Sequence, residues 1–187
     1  MNWNEYHAKF AAILHGEITA TPYDNPSYLE YVKLNNSRSN RWLKKTDLLD
    51  ETKAALASLK CHQKWYLITE PWCGDAAHLT PFIQKIAEYS PHIELHVILR
   101  DGDDNMIDSY LTDGSKSIPK LIVRDDNNTD LFTWGPRPIE AKELVDNLKE
   151  STKTTQEKKA ALQVWYNNDK GISIQRELMA QLKQVSA

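Results

Sequence analysis

The stretch Glu-Pro-Trp-Cys-Gly-Asp-Ala at residues 70–76 sets a tryptophan, a cysteine and a glycine side by side directly after an apolar run. Attack on a disulfide needs a thiolate. A cysteine where a strand gives way to a helix gains from the unpaired N–H groups and the positive dipole end at the helix start. That is how a thiol-redox site begins. Such a site usually carries a second cysteine three residues after the first, and here that position is Ala76. Glu70 and Asp75 oppose the thiolate, because nearby negative charge disfavours another, and no Lys, Arg or His lies within residues 70–77. The balance predicts moderate acidification of Cys73.

The other cysteine, Cys61, precedes the strand that ends near Cys73. A strand rises ~3.3 Å per residue, which puts the two thiols about 20 Å apart, whereas a disulfide needs Cα atoms within about 7 Å. Cys61 therefore reads as a structural cysteine. The six histidines offer no ligand spacing: His92 and His96 lie on one strand about 13 Å apart, and His78 falls on a different helix face from Cys73. Asp101–Asn105 resembles the start of a calcium loop, but Met106 and Thr112 stand where such a loop needs Gly and Glu. Neither metal nor cofactor is expected.

The chain has 187 residues, 41% hydrophobic and 26% charged, with a net charge of −3, an ordinary globular composition. That charge makes no case for nucleic acid or an anionic membrane. Arg38, Arg41, Lys44 and Lys45 read as the solvated face of one helix. The first residues, Met1–Gly16, have no basic stretch and an interrupted apolar block, so no export signal is expected, no stretch reaches transmembrane length, and both cysteines should be reduced thiols in a cytoplasm.

The elements that must position Cys73 follow from periodicity. Trp3, Tyr6, Phe10, Ile13 and Leu14 predict a first helix, ended by Gly16. Pro26 opens a second, whose polar half Asn35–Arg41 is less strongly helical, and Asp47 is placed to cap a third carrying Leu49, Leu56 and Leu59. Residues 64–69, 92–99, 119–124 and 131–134 read as strands, the last two joined by a hairpin. Between them lie helices over 75–89 and 103–112, the latter with Met106, Ile107, Tyr110 and Leu111. Pro138 opens another through Ile139, Leu144, Val145 and Leu148, and two more follow near 155–167 and 172–185. Trp165 and Tyr166 read as packing residues. Strands alternating with helices imply a mixed sheet covered on both faces.

These residues and this order resemble the thioredoxin family, whose site reads W-C-G-P-C between a strand and a helix. Trp72, Cys73 and Gly74 match; Asp75 and Ala76 do not. The family's helix-kinking proline eight residues past the cysteine is matched by Pro81, its cis-proline facing the cysteine by Pro119 in the stretch 117–121, and its glycine after the last strand by Gly135. The buried aspartate that helps deprotonate the family's second cysteine is replaced by Leu67, consistent with the loss of that cysteine. The resemblance implies an α/β thioredoxin-like fold, with a mixed sheet of four or five strands flanked by helices. A thioredoxin-like domain is expected over 47–150, with helical extensions over 1–46 and 151–187.

For function, the resemblance implies a monothiol thiol–disulfide oxidoreductase. Cys73 attacks a mixed disulfide, Trp72, Gly74, Asp75, Ile118, Pro119 and Gly135 form the substrate site, and an external protein or low-molecular-weight thiol releases the product. Arg137, two residues past Gly135, is placed to approach the sulfur. The alternative is a redox-inactive binding module that docks a protein partner, or a second copy as a homodimer, through the groove by Pro119 or the terminal helices.

Overall fold

The run Gln63–Thr69 forms strand β1 at the middle of the sheet, and its alternation divides the molecule into two apolar layers. The computed structural model describes residues 1–185. β1 pairs in parallel with β2 (Ile93–Leu99) and antiparallel with β3 (Lys120–Asp125). β3 pairs antiparallel with β4 (Asp130–Trp134), giving the spatial order β2-β1-β3-β4. Leu67 faces Val97 on one side and Leu121 on the other. Among the described residues the sheet has four strands.

Among the described residues seven α-helices accompany it: α1 (Trp3–Leu14), α2 (Pro26–Lys45), α3 (Asp50–Ala57), α4 (Gly74–Tyr89), α5 (Ile139–Lys149), α6 (Thr155–Asp169) and α7 (Ile172–Val185). The face of the sheet bearing Trp65, Leu67, Leu121 and Val123 belongs to the large core, which takes Tyr6 and Phe10 from α1, Val32 and Trp42 from α2, Phe82 and Ile83 from α4, and Ile174 and Leu178 from α7. The terminal helices are thus part of the main apolar layer. At the turn into α7, Gly171 has φ +76° and its Cα lies against the Phe82 ring, so a Cβ there would come within 2.2 Å of a ring atom. Only glycine fits that close approach.

The second layer is smaller. Ile68 and Ile122, from the other face of the sheet, pack with Ile107, Ile118, Ala76 and Cys73. Among the described residues no helix of the expected length covers it. Residues 103–112 form only a short 3-10 turn, Met106–Ser109, because Asn105 adopts a left-handed φ of 47° and Thr112 bridges to Ser115, which turns the chain away. Ile107 is buried while Leu111 is exposed.

Other departures have local causes. α2 runs unbroken through its polar half because Asn35 and Ser39 are buried and Asn35 Nδ2 donates to the Pro71 carbonyl at 3.0 Å, satisfying a group that would otherwise oppose burial. Asp47 does not cap α3, which starts at Asp50 after an N-cap leucine. Its carboxylate instead accepts from the Leu48 N–H at 2.8 Å and from Lys53 Nζ at 3.0 Å. In α5 the buried positions are Ala141 and Leu148, and Ile139 is exposed. No helix among the described residues is long and apolar enough to cross a membrane.

Candidate active site

Cys73 is the N-cap of α4. β1 ends at Thr69, a short turn carries Pro71 and Trp72, and the helix starts at Gly74. The cysteine sulfur takes the place of a capping oxygen: Ala76 N–H donates to Sγ at 3.5 Å. The thiol itself donates to the Ile118 carbonyl at 3.4 Å. The Ile118–Pro119 peptide bond is cis. Gly135, with φ +114°, sits so close behind Pro119 that a Cβ would lie 2.2 Å from the Pro119 carbonyl oxygen. The predicted site residues Trp72, Gly74, Asp75, Ile118, Pro119 and Gly135 are therefore gathered around Cys73 or stacked directly behind it.

The expected acidification of Cys73 is reversed. The residue is only 8% exposed, packed among Ile68, Ile107, Ile118 and Ile122. That burial, with the charge of Asp75 second, pushes the thiol up to about 12; the Ala76 N–H and Arg137 pull weakly the other way. Desolvation outweighs the helix end here. Glu70 plays a smaller part than expected. Its buried carboxylate accepts from the Asp101 N–H at 3.0 Å and the Tyr23 hydroxyl at 3.4 Å, and burial raises its own pKa.

Arg137 does approach the site, but its guanidinium is held by Asp75, with Nη2 to Oδ2 at 2.5 Å. The other oxygen of Asp75 accepts from the Tyr166 hydroxyl at 2.9 Å. Burial of Arg137 works against its charge, and Asp75 more than restores it. Burial and Asp75 together push the Tyr166 phenol far up, so it stays a donor. Tyr166, expected as a packing residue of the C-terminal helices, thus completes an Asp–Arg–Tyr cluster one turn from the cysteine. Trp72 is half-buried, edge-on to Tyr28 with ring centroids 5.7 Å apart, and the Arg100 guanidinium lies 4.6 Å over its ring, a cation–π contact.

A cleft of about 440 Å³ opens beside Cys73. Its walls come from α2 (Tyr28, Tyr31, Arg38), α6 (Lys159, Gln163, Tyr166) and the start of α4. The spacing of these residues in the sequence carries no sign that they converge. Arg38, read from sequence as part of a solvated basic face, is half-buried, and its Nη1 lies 3.9 Å from where a Cβ on Gly74 would be. Arg41 is likewise engaged, donating to Asn167 at 2.6 Å.

His78 is also a wall residue, although its spacing from Cys73 suggested another face. Its Nδ1 accepts from the Trp42 indole N–H at 3.0 Å, and its Nε2 is 3.0 Å from Gln163 Oε1. An indole can only donate, so Nδ1 is the bare nitrogen and Nε2 carries the proton. The ring stacks on Tyr166 at 4.5 Å, and burial drives its pKa down to about 3. His78 is a neutral strut joining α2, α4 and α6. Cys61 is exposed, a surface thiol rather than the structural cysteine expected. Among the described residues no group of three or more His, Cys, Asp and Glu side chains is arranged to hold a metal ion.

The chain matches the thioredoxin family over residues 23–151 and belongs to it. Along nearly its whole length it is similar to two solved structures: an HIV epitope-scaffold and a protein of unknown function, PA1234, from Pseudomonas aeruginosa. Each superposes with a TM-score of 0.59 at 16% identity, covering 98% of this chain and 99% and 98% of theirs respectively. That likeness is one of fold alone. A search of curated proteins finds no match.

Proposed function

We propose that this thioredoxin-family chain is a monothiol thiol–disulfide oxidoreductase in which Cys73 exchanges with a mixed disulfide. The observation that carries the reading is the position of the sulfur. It caps α4 through the Ala76 N–H at 3.5 Å, touches the Ile118 carbonyl at 3.4 Å, and lines a cleft large enough for a small substrate.

The cycle needs two steps. The Cys73 thiol loses its proton to solvent, and the thiolate attacks one sulfur of a disulfide R–S–S–R′. A Cys73–S–S–R bond forms, the S–S bond of the substrate breaks, and R′–S⁻ leaves and takes up a proton. Ala76 stands where a resolving cysteine would be, so a second, low-molecular-weight thiol R″–SH closes the cycle. As thiolate it attacks the sulfur of the R group, forms R–S–S–R″ and returns Cys73 as a thiol. Trp72 supplies a flat apolar surface beside the sulfur, and the Ile118 backbone is placed to take the substrate's main chain in a strand-like manner.

One observation favours a second reading, a redox-inactive binding module: the thiol is pushed up to about 12. This lowers the thiolate population by about three powers of ten, of which higher nucleophilicity restores roughly half, leaving exchange slower by about one and a half powers of ten. The experiment that separates the two readings follows turnover of a mixed disulfide in the Cys61→Ser chain, with and without Cys73→Ser. Turnover that vanishes with Cys73→Ser supports exchange. Turnover unchanged by Cys73→Ser rejects exchange at Cys73, and ligand capture with no turnover in either chain supports the binding module.

A further inference from the structure

We infer that the cleft between α2 and α6 is a binding site for a small organic carboxylate, held by Arg38 and Lys159. This rests on the exchange reading only in taking the ligand to be the low-molecular-weight part of the disulfide that Cys73 attacks.

The charge of the cleft is the first argument. The chain as a whole carries −3, yet the residues lining the cleft include Arg38, Arg137 and Lys159 against Asp75 alone. Asp75 and Arg137 neutralise each other, and His78 is uncharged because burial holds its pKa down to about 3. Arg38 and Lys159 remain, two cations with no carboxylate partner among the described residues. Arg38 uses one N–H, from Nη1 to Asn35 Oδ1 at 3.1 Å. Burial and the neighbouring Arg41 both make its charge costly, and an anion would relieve that cost. A guanidinium with free N–H groups suits the two oxygens of a carboxylate.

The shape is the second argument. Lys159 Nζ donates to the Tyr31 hydroxyl at 2.5 Å, which joins α6 to α2 across the cleft. An open cleft of about 440 Å³ bridged this way suits a small molecule. The aromatic and apolar walls, Tyr28, Tyr31 and Leu162, suit its uncharged stem, and Cys73 lines the same space. The added helix α6 thus supplies one wall of this cleft.

The test uses three small disulfides of similar length and different ends: 3,3′-dithiodipropionate (anionic), cystamine (cationic) and bis(2-hydroxyethyl) disulfide (neutral). Binding is measured by calorimetry to the full chain carrying Cys61→Ser and Cys73→Ser, so that no exchange occurs. Dithiodipropionate should bind about tenfold tighter than the other two, and Arg38→Gln should remove about that factor. Lys159→Gln, on an exposed residue that the fold does not need, should weaken it severalfold and serves should Arg38→Gln fail to fold. Equal affinity for all three, no binding of any, or affinity indifferent to these substitutions overturns the site. The exchange reading fails separately: dithiodipropionate that binds here but is not cleaved by the chain with Cys73 intact removes the exchange and leaves the site. Cleavage of all three at equal rates without selective binding does the reverse.

Discussion

The Cys73 sulfur lies 3.4 Å from the Ile118 carbonyl oxygen and donates its hydrogen to it. An acceptor at that position stabilises the protonated form, and burial acts in the same direction. In the Cys61→Ser chain, alkylation by iodoacetamide should be slow at pH 7 and rise about tenfold per pH unit without levelling up to pH 10, because the thiol is pushed up to about 12. A plateau below pH 9 would show that the helix end wins over burial. Linkage follows with the same sign. A folded pKa above the unfolded value near ~8.5 contributes stability that is complete below that value and lost as pH climbs through about 12.

The Asp75 carboxylate is the second cause of the raised thiol, and Arg137 partly offsets it. Substituting either should move Cys73 in opposite directions. Asp75→Asn removes the negative charge and leaves Arg137 unneutralised, so alkylation at pH 8 should speed up severalfold, because each pKa unit is about a factor of ten in thiolate and lower nucleophilicity takes back part of it. Arg137→Gln leaves Asp75 with Tyr166 alone and should slow it. Both rates are read in the Cys61→Ser background. Two changes of the same sign would mean that the cluster acts on Cys73 through packing rather than charge.

The tryptophan, cysteine and glycine at 72–74, the prolines at 81 and 119 and the alternation of strands and helices were local signals, and they sufficed for the fold and for the position of the sulfur. What they could not carry was its environment. Cys73 is buried by Ile107, Ile118 and Ile122, which arrive from other elements, and no count of charges within 70–77 contains that desolvation. Arg38 and Tyr166 reach the site from α2 and α6. Each looked ordinary in its own helix, Arg38 among solvated bases and Tyr166 beside an aromatic neighbour. Asn35 and Ser39 misled in the same way, because a buried polar residue with a partner, such as Asn35 with the Pro71 carbonyl, reads in sequence as a surface one. The helix expected over 103–112 failed for a backbone reason, the left-handed Asn105, which hydrophobic spacing cannot report.

His78 makes the chain acid-sensitive. Its folded pKa, held down to about 3 by burial, lies below the unfolded value near ~6.5. As pH falls below that value the unfolded chain takes up a proton that the folded chain refuses. The contribution is therefore complete above about pH 6.5 and lost as pH drops toward 3. Between pH 7 and pH 4 the loss should be on the order of 3 kcal/mol. His78→Gln keeps an acceptor for Trp42 and a donor for Gln163 without titrating. Urea unfolding at the two pH values should show a smaller drop for the variant, and parallel drops in both chains would remove His78 as the cause. Glu70, raised by burial, acts in the opposite direction in both chains and cancels from the comparison.

Gly135 is where the backbone behind the site has no slack. Its φ of +114° is one that side chains with a Cβ rarely adopt, and a Cβ would overlap the Pro119 carbonyl oxygen at 2.2 Å. The obstacle is backbone, pinned between Ile118, which accepts from the sulfur, and Lys120, paired with Ile68 in the sheet. It cannot swing aside as the end of a flexible side chain would. Gly135→Ala should therefore cost about 3 kcal/mol or more, from backbone strain and overlap together, and lower the melting temperature by roughly 6–12 °C for a chain of this size. Gly114→Ala is the control: its φ is +75° but nothing lies within 4 Å of its Cβ position, so it should carry the cost of the backbone angle without the overlap. If the two substitutions prove equally destabilising, the contact between residues 135 and 119 is not what holds the Ile118–Pro119 segment against Cys73.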